Sequence, residues 1–177
     1  MKKRIVVFAG NGCKKEKEKY YFNLAYRTGE LLAEAGFATV TGGGPGLMDE
    51  VMKGAWEKGG DTIGIRLNVQ GVRHSKYAKE FSIYDSLVER QNKLIELGDS
   101  FIALPGGIGT YYEIFAVIAM KRKKEIPQSK HMILLSSYFK DFDKIIDKFI
   151  NDGFAFGEMR SFYSLAQNPE EAIDILK

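Results

Sequence analysis

The chain has 177 residues, 45% of them hydrophobic and 28% charged, with a formal net charge of +3 and one cysteine. Length and balance fit one globular domain with its own core. The charge is too small to argue for a nucleic-acid partner, a lone Cys13 excludes a disulfide framework, and no apolar run reaches the roughly 18 residues of a membrane span. The opening MKKRIVVFAG is basic and then apolar. Its apolar part soon breaks and runs into KKEKEK, so it reads as a strand and not as an export signal. With no export signal and no disulfide, the expected compartment is the cytoplasm.

Short apolar runs alternate with amphipathic stretches. RIVVFA (4–9) predicts a strand, 17–35 a helix with Leu24, Leu31 and Leu32 inward, and FATVT (37–41) a second strand. GLMDEVMKGAWEKGG predicts a helix closed by Gly59 and Gly60, and DTIGIR (61–66) a third strand. Residues 67–79 read as an irregular excursion. EFSIY (80–84) is a short strand, SLVERQNKLIELG a helix, SFIALP a buried strand and TYYEIFAVIAMKRK a helix. HMILLS, KDFDKIIDKFIND, SFYSLA and PEEAIDILK follow as strand, helix, edge strand and helix. Strands apolar without alternation are covered on both faces. The βαβα rhythm therefore predicts one Rossmann-like, doubly wound parallel α/β domain over residues 1–177, with ligands beyond the strand C-termini.

Glycine clusters after three of those strands: Gly10 with Gly12, Gly42 to Gly44 with Gly46, and Gly106, Gly107 and Gly109. In a parallel sheet these ends share one edge. Bare backbone there lets amides approach an anion, and a helix N-terminus adds partial positive charge. The pattern points to phosphate or nucleotide binding; turns without a ligand are the alternative. The dinucleotide fingerprint needs glycine at 15, where Lys15 stands, and no Walker loop occurs.

Two charged residues fall on apolar helix faces. At about 100° per residue, Arg90 lies among Leu87, Leu94 and Leu97, and Gln91 within the arc of Val88 and Ile95. Arg90 has no carboxylate three or four residues away, so it either snorkels outward or meets a partner from elsewhere. In YYEIFAVIAM (111–120) only Glu113 is charged. It either closes a capping box with Thr110 or serves chemistry. A helix apolar all round is buried in a core or against another subunit, so a homodimer is expected. An unpaired Arg and an unpaired Glu beside a phosphate loop suggest each other. A carboxylate there can stabilise an oxocarbenium-like transition state or orient water, and the Arg can hold substrate. That combination suits cleavage of a nucleotide's glycosidic bond.

At these residues the chain resembles a known family. GGGPGLM (42–48) and PGGIGTYYE (105–113) are similar to the paired motifs of the Lonely Guy (LOG) family, cytokinin-activating phosphoribohydrolases long mislabelled lysine decarboxylases. LLAEAGF, ERQNKLIELGDSFIALPGG and the closing PEEAIDIL extend the likeness over most of the chain. The resemblance implies a Rossmann-like dimer, without metal or organic cofactor, that hydrolyses a nucleoside 5′-monophosphate to base and ribose 5-phosphate. It implies Arg90 and Glu113 as catalytic residues and Gly106, Gly107, Gly109 and Thr110 as the phosphate loop. Gly10, Gly43, Gly44, Gly46, Leu87 and Gln91 would lie near the substrate. Here Leu87 replaces the usual Met, Gln91 the usual Lys, and Arg66-Leu67-Asn68 a common Ile-Pro. The rival reading is a non-catalytic carrier of a nucleotide or phosphorylated cofactor. His74 and His131 lack ligand-spaced neighbours, so no metal site is expected. KKEKEK reads as a solvated helix entry, and KRKK (121–124) as cations at a helix C-terminus, where they favour the dipole.

Overall fold

The structure, a computed structural model, describes residues 2–177. Seven strands make one sheet: β1 (Arg4–Phe8), β2 (Ala38–Thr41), β3 (Thr62–Leu67), β4 (Glu80–Tyr84), β5 (Ser100–Ala103), β6 (Met132–Leu135) and β7 (Ser164–Ala166). Their order is β4-β3-β2-β1-β5-β6-β7, and every pairing is parallel. The chain winds one way from β1 to β4, then crosses to the far side of β1 to lay down β5. The reversal between β1 and β5 is the switch point at which such sheets bind ligands.

Six helices cover the two faces: α1 (Lys15–Glu34), α2 (Leu47–Glu57), α3 (Leu87–Leu97), α4 (Ile108–Arg122), α5 (Phe142–Asn151) and α6 (Pro169–Leu176). Unbroken apolar strands follow from this layering. In β1, Val6 and Phe8 enter one core with Phe101, Leu94 and Ile114, while Ile5 and Val7 enter the other with Leu32, Val51 and Ile173. Segment 68–79 has neither helix nor strand. Two 3₁₀ turns, Ser137–Phe139 and Gly157–Phe162, are additions to the predicted elements. No described helix is long and apolar enough to cross a membrane.

The apolar perimeter of α4 is covered largely from within the chain. Tyr111 packs on Phe139 and Phe142, and Phe115 on Phe142 and Phe149. Lys121, in the last turn of α4, is buried and donates to the Phe162 carbonyl at 2.9 Å. Burial pulls its pKa down.

Helices α1 and α2 meet backbone to backbone. A Cβ on Gly29 would collide with the Val51 carbonyl, and one on Gly54 with the Tyr26 carbonyl. Gly29→Ala and Gly54→Ala are each expected to lower stability by about 1–3 kcal/mol through overpacking. Gly157→Ala, with open space around it, should be near neutral. Urea midpoints of the three variants check this, and equal midpoints would contradict the close approach.

Candidate active site at the switch point

The three glycine loops meet at the C-terminal rim of the sheet and are stitched together by backbone hydrogen bonds. Gly10 N–H donates to the Pro105 carbonyl and Leu47 N–H to the Gly10 carbonyl, each at 3.1 Å. Gly46 has φ +70, and a Cβ there would collide with the Asn11 carbonyl. Only glycine fits both demands.

Arg90 does not snorkel. Helix α3 starts at a Ser86 cap, whose hydroxyl accepts from Glu89 N–H at 3.3 Å, and its fourth residue turns beneath the rim. Arg90 Nε donates to the carbonyl of Ile65 in β3 at 2.8 Å. Nη1 lies 3.5 Å from Glu113 Oε1, with the two side chains only 10% and 11% exposed. Nη2 occupies the place a Gly42 side chain would take. The run Gly42-Gly43-Gly44 is thus bare largely for side chains of this protein: Arg90 at Gly42, Arg66 at Gly43 and Met48 at Gly44.

Glu113 does not cap its helix. Helix α4 begins at Ile108 with Gly107 as its N-cap, so Thr110 is already the third helical residue. The Glu113 carboxylate meets Arg90 instead. Burial pushes the Glu113 carboxyl up to about 7, and Arg90 pulls in the opposite direction. A single 3.5 Å contact offsets only part of the desolvation. The group therefore titrates near neutral pH, as acid–base residues do.

A cavity of about 340 Å³ opens above this pair. Gly10, Asn11 and Gly12 line it from the first loop, and Gly107, Gly109 and Thr110 from the start of α4. The first ladder bond of α4 runs from Tyr111 N–H to the Gly107 carbonyl at 3.1 Å. The amides of Ile108, Gly109 and Thr110 precede it and have no partner within the helix. Those donors and the helix dipole make this end suited to an anion. Asn11, Met48 and Arg90 also line a second cavity of about 230 Å³, so the two cavities make one groove.

Arg90, Glu113, Gly10, Gly107, Gly109 and Thr110 thus come together around one cavity. Gly106 lies behind the loop: its carbonyl accepts from the Tyr138 hydroxyl at 2.7 Å, and Thr110 Oγ1 fills the place of a side chain there. Gly44 lines the second cavity, whereas Gly43 and Gly46 line neither. Leu87 is half exposed, and Gln91 is buried with its side-chain amide unpartnered; neither lines the groove. Sequence reasoning missed Met48 and Ile108 as lining residues. The signal for Met48 was its place directly after the second glycine loop. Among the described residues no cluster of metal-ligating side chains occurs. Burial and the neighbouring Glu18 and Glu16 push the Cys13 thiol up, away from a reactive thiolate.

An all-parallel sheet with an amide-rich cavity at its switch point, and a buried Arg–Glu pair beneath that cavity, defines a Rossmann-like α/β protein. The chain belongs to the Lonely Guy family, whose model, described as "Possible lysine decarboxylase", matches residues 25–176. It is 30% identical over 179 residues to the cytokinin riboside 5′-monophosphate phosphoribohydrolase LOG5 of Arabidopsis thaliana, covering 99% of this chain and 77% of that relative. The fold is similar to the X-ray structure of TM1055, a structural-genomics target, with a TM-score of 0.77 and 25% identity over 98% of each chain. It is also similar to the molybdenum cofactor binding protein of the phototrophic bacterium Rippkaea orientalis. There the TM-score is 0.75 at 21% identity, over 99% of this chain and 96% of that one.

Because Arg90 is the one group that pulls the Glu113 carboxyl down, Arg90→Met should move the Glu113 titration above about 7. Carbon-detected NMR of labelled glutamate carboxyls reads this directly, and an unchanged or lowered midpoint would contradict the pairing.

Proposed function

We propose that the protein is a nucleoside 5′-monophosphate phosphoribohydrolase that cleaves the N-glycosidic bond of AMP or a cytokinin-type nucleotide, giving free base and ribose 5-phosphate. The observation that carries this reading is the Arg90–Glu113 pair opening into the same cavity as the free amides of α4. The 5′-phosphate sits on the amides at 108–110, with Gly107, Gly109 and Thr110 close against it and Gly106 shaping the loop. This anchorage brings the ribose over Arg90 and Glu113.

Cleavage breaks the bond from C1′ to the base nitrogen, and the electron pair leaves with the base. Positive charge develops on the sugar, and the Glu113 carboxylate stabilises it. A water oxygen bonds to C1′ and gives one proton to that carboxylate; the departing nitrogen takes a proton from solvent and Glu113 returns its own to solvent, so the two elements of water end on C1′ and on the base. Arg90 holds the sugar and keeps Glu113 ionised for longer than burial alone would allow. These steps call on no metal or organic cofactor. In the same reading the protein works in the cytoplasm as a homodimer; Leu87 and Val88 on α3 and Ile108 and Tyr112 on α4 are exposed apolar residues available for a contact.

Incubation with AMP should release adenine and ribose 5-phosphate. Glu113→Gln is expected to lower release by at least about 100-fold, the scale of a lost acid–base group, while AMP still binds. Tight binding with no release by the unaltered protein would favour the carrier reading instead. The pH dependence has a definite sign. Glu113 must be ionised to accept a proton, so kcat/KM should fall about tenfold per pH unit below the midpoint near 7 and level off above it. A profile flat from pH 5 to 8 would remove Glu113 as the base.

A further inference from the structure

The second cavity of the groove has an outer wall made by Leu67, Val69, Val72 and His74. Val69 and Val72 belong to the irregular segment 68–79 and are themselves partly exposed, so packing alone does not fix them. The segment is tied to the rest of the rim by a short relay. Ser75 N–H donates to the Gly43 carbonyl at 2.9 Å. Arg66 Nη2 donates to the Ser75 carbonyl at 2.8 Å. The guanidinium carbon of Arg66 lies 4.0 Å over the Phe81 ring, and its Cγ stands 2.9 Å from where a Gly43 Cβ would be.

Arg66 is an expensive way to fill that space. It is 9% exposed, its Nε is buried without a partner, and among the described residues it makes no ion pair. An apolar residue of similar length would pack there without the desolvation cost. What the guanidinium adds is the bond to Ser75, and through Ser75 the spacing between the glycine loop and segment 67–75. That spacing is the width of the second cavity.

We propose that Arg66 is a positioning residue for the base of the nucleotide. It touches no substrate. It holds the wall of Leu67, Val69, Val72 and His74 at the separation from Gly44 and Pro45 that admits a flat heteroaromatic base, with apolar contact on its faces and His74 at its edge. The phosphate end of the groove is built by other elements and does not depend on it. The inference rests on the phosphoribohydrolase reading above, which supplies the ligand.

Two ligands separate the ends of the groove. Ribose 5-phosphate needs only the first cavity, and AMP needs both. Calorimetric titrations are made in a Glu113→Gln background, where AMP persists. Adding Arg66→Met is expected to weaken AMP by at least about tenfold and to leave ribose 5-phosphate within about twofold. Arg66→Lys, which keeps a donor in place and covers the case in which Arg66→Met does not fold, should weaken AMP by about threefold and spare ribose 5-phosphate. Equal loss of both ligands, or loss of neither, in whichever variants fold would overturn the assignment. Failure of the parent to bind either ligand would overturn the nucleotide reading itself and this inference with it.

Discussion

The site depends on one guanidinium placed where water cannot easily reach it. Arg90 is buried at the sheet rim because Gly42 leaves room for it, the Ile65 carbonyl accepts from it, and Glu113 faces it from another helix. Arg90 and its three partners come from different parts of the chain: α3, β3, the loop after β2, and α4. The order of strands in the sheet brings these four together. Burying either charge alone is unfavourable, and each offsets part of the other's desolvation.

The pairing is deliberately incomplete in energetic terms. A bidentate contact near 2.8 Å would drive the Glu113 carboxyl well below its ordinary value. The single 3.5 Å contact does not, and burial wins, leaving a carboxyl that titrates near 7. A group in that condition can exchange a proton at neutral pH. The neighbouring amides at the start of α4 supply what the pair lacks, a fixed set of donors for an anion. One end of the groove is therefore polar and built from backbone, and the other is largely apolar and built from side chains on a segment without regular structure.

Much of the fold was legible because its strands are buried on both faces. Runs such as RIVVFA and SFIAL show no alternation, and only a sheet sandwiched between helices explains that. The edge position of SFYSLA and the irregular excursion after β3 were also readable. Helix boundaries were less so: α4 starts at Ile108 because the bare Gly107 serves as its cap, and the local match of Thr110 and Glu113 to a capping box obscured this. Arg90 and Glu113 could be picked out as charges on apolar faces, yet their meeting is a tertiary fact with no local signature. The glycines after β2 read as lying near the substrate; what only tertiary contacts reveal is that Gly42, Gly43 and Gly44 also yield space to Arg90, Arg66 and Met48. Lys121 lies within a run of cations at a helix C-terminus, and nothing local marks it as the buried one. Leu87 and Val88 fit the apolar arc of α3 but project from its first turn into solvent.

In the proposed reaction the amides opening α4 and the Arg90–Glu113 pair act on one molecule. A crystal structure of the protein with ribose 5-phosphate bound tests it most directly. The phosphate should lie against the amides of 108–110, with the C1′ hydroxyl within hydrogen-bonding distance of the Glu113 carboxylate. A sugar phosphate seated elsewhere, or one whose C1′ points away from Glu113, would contradict it.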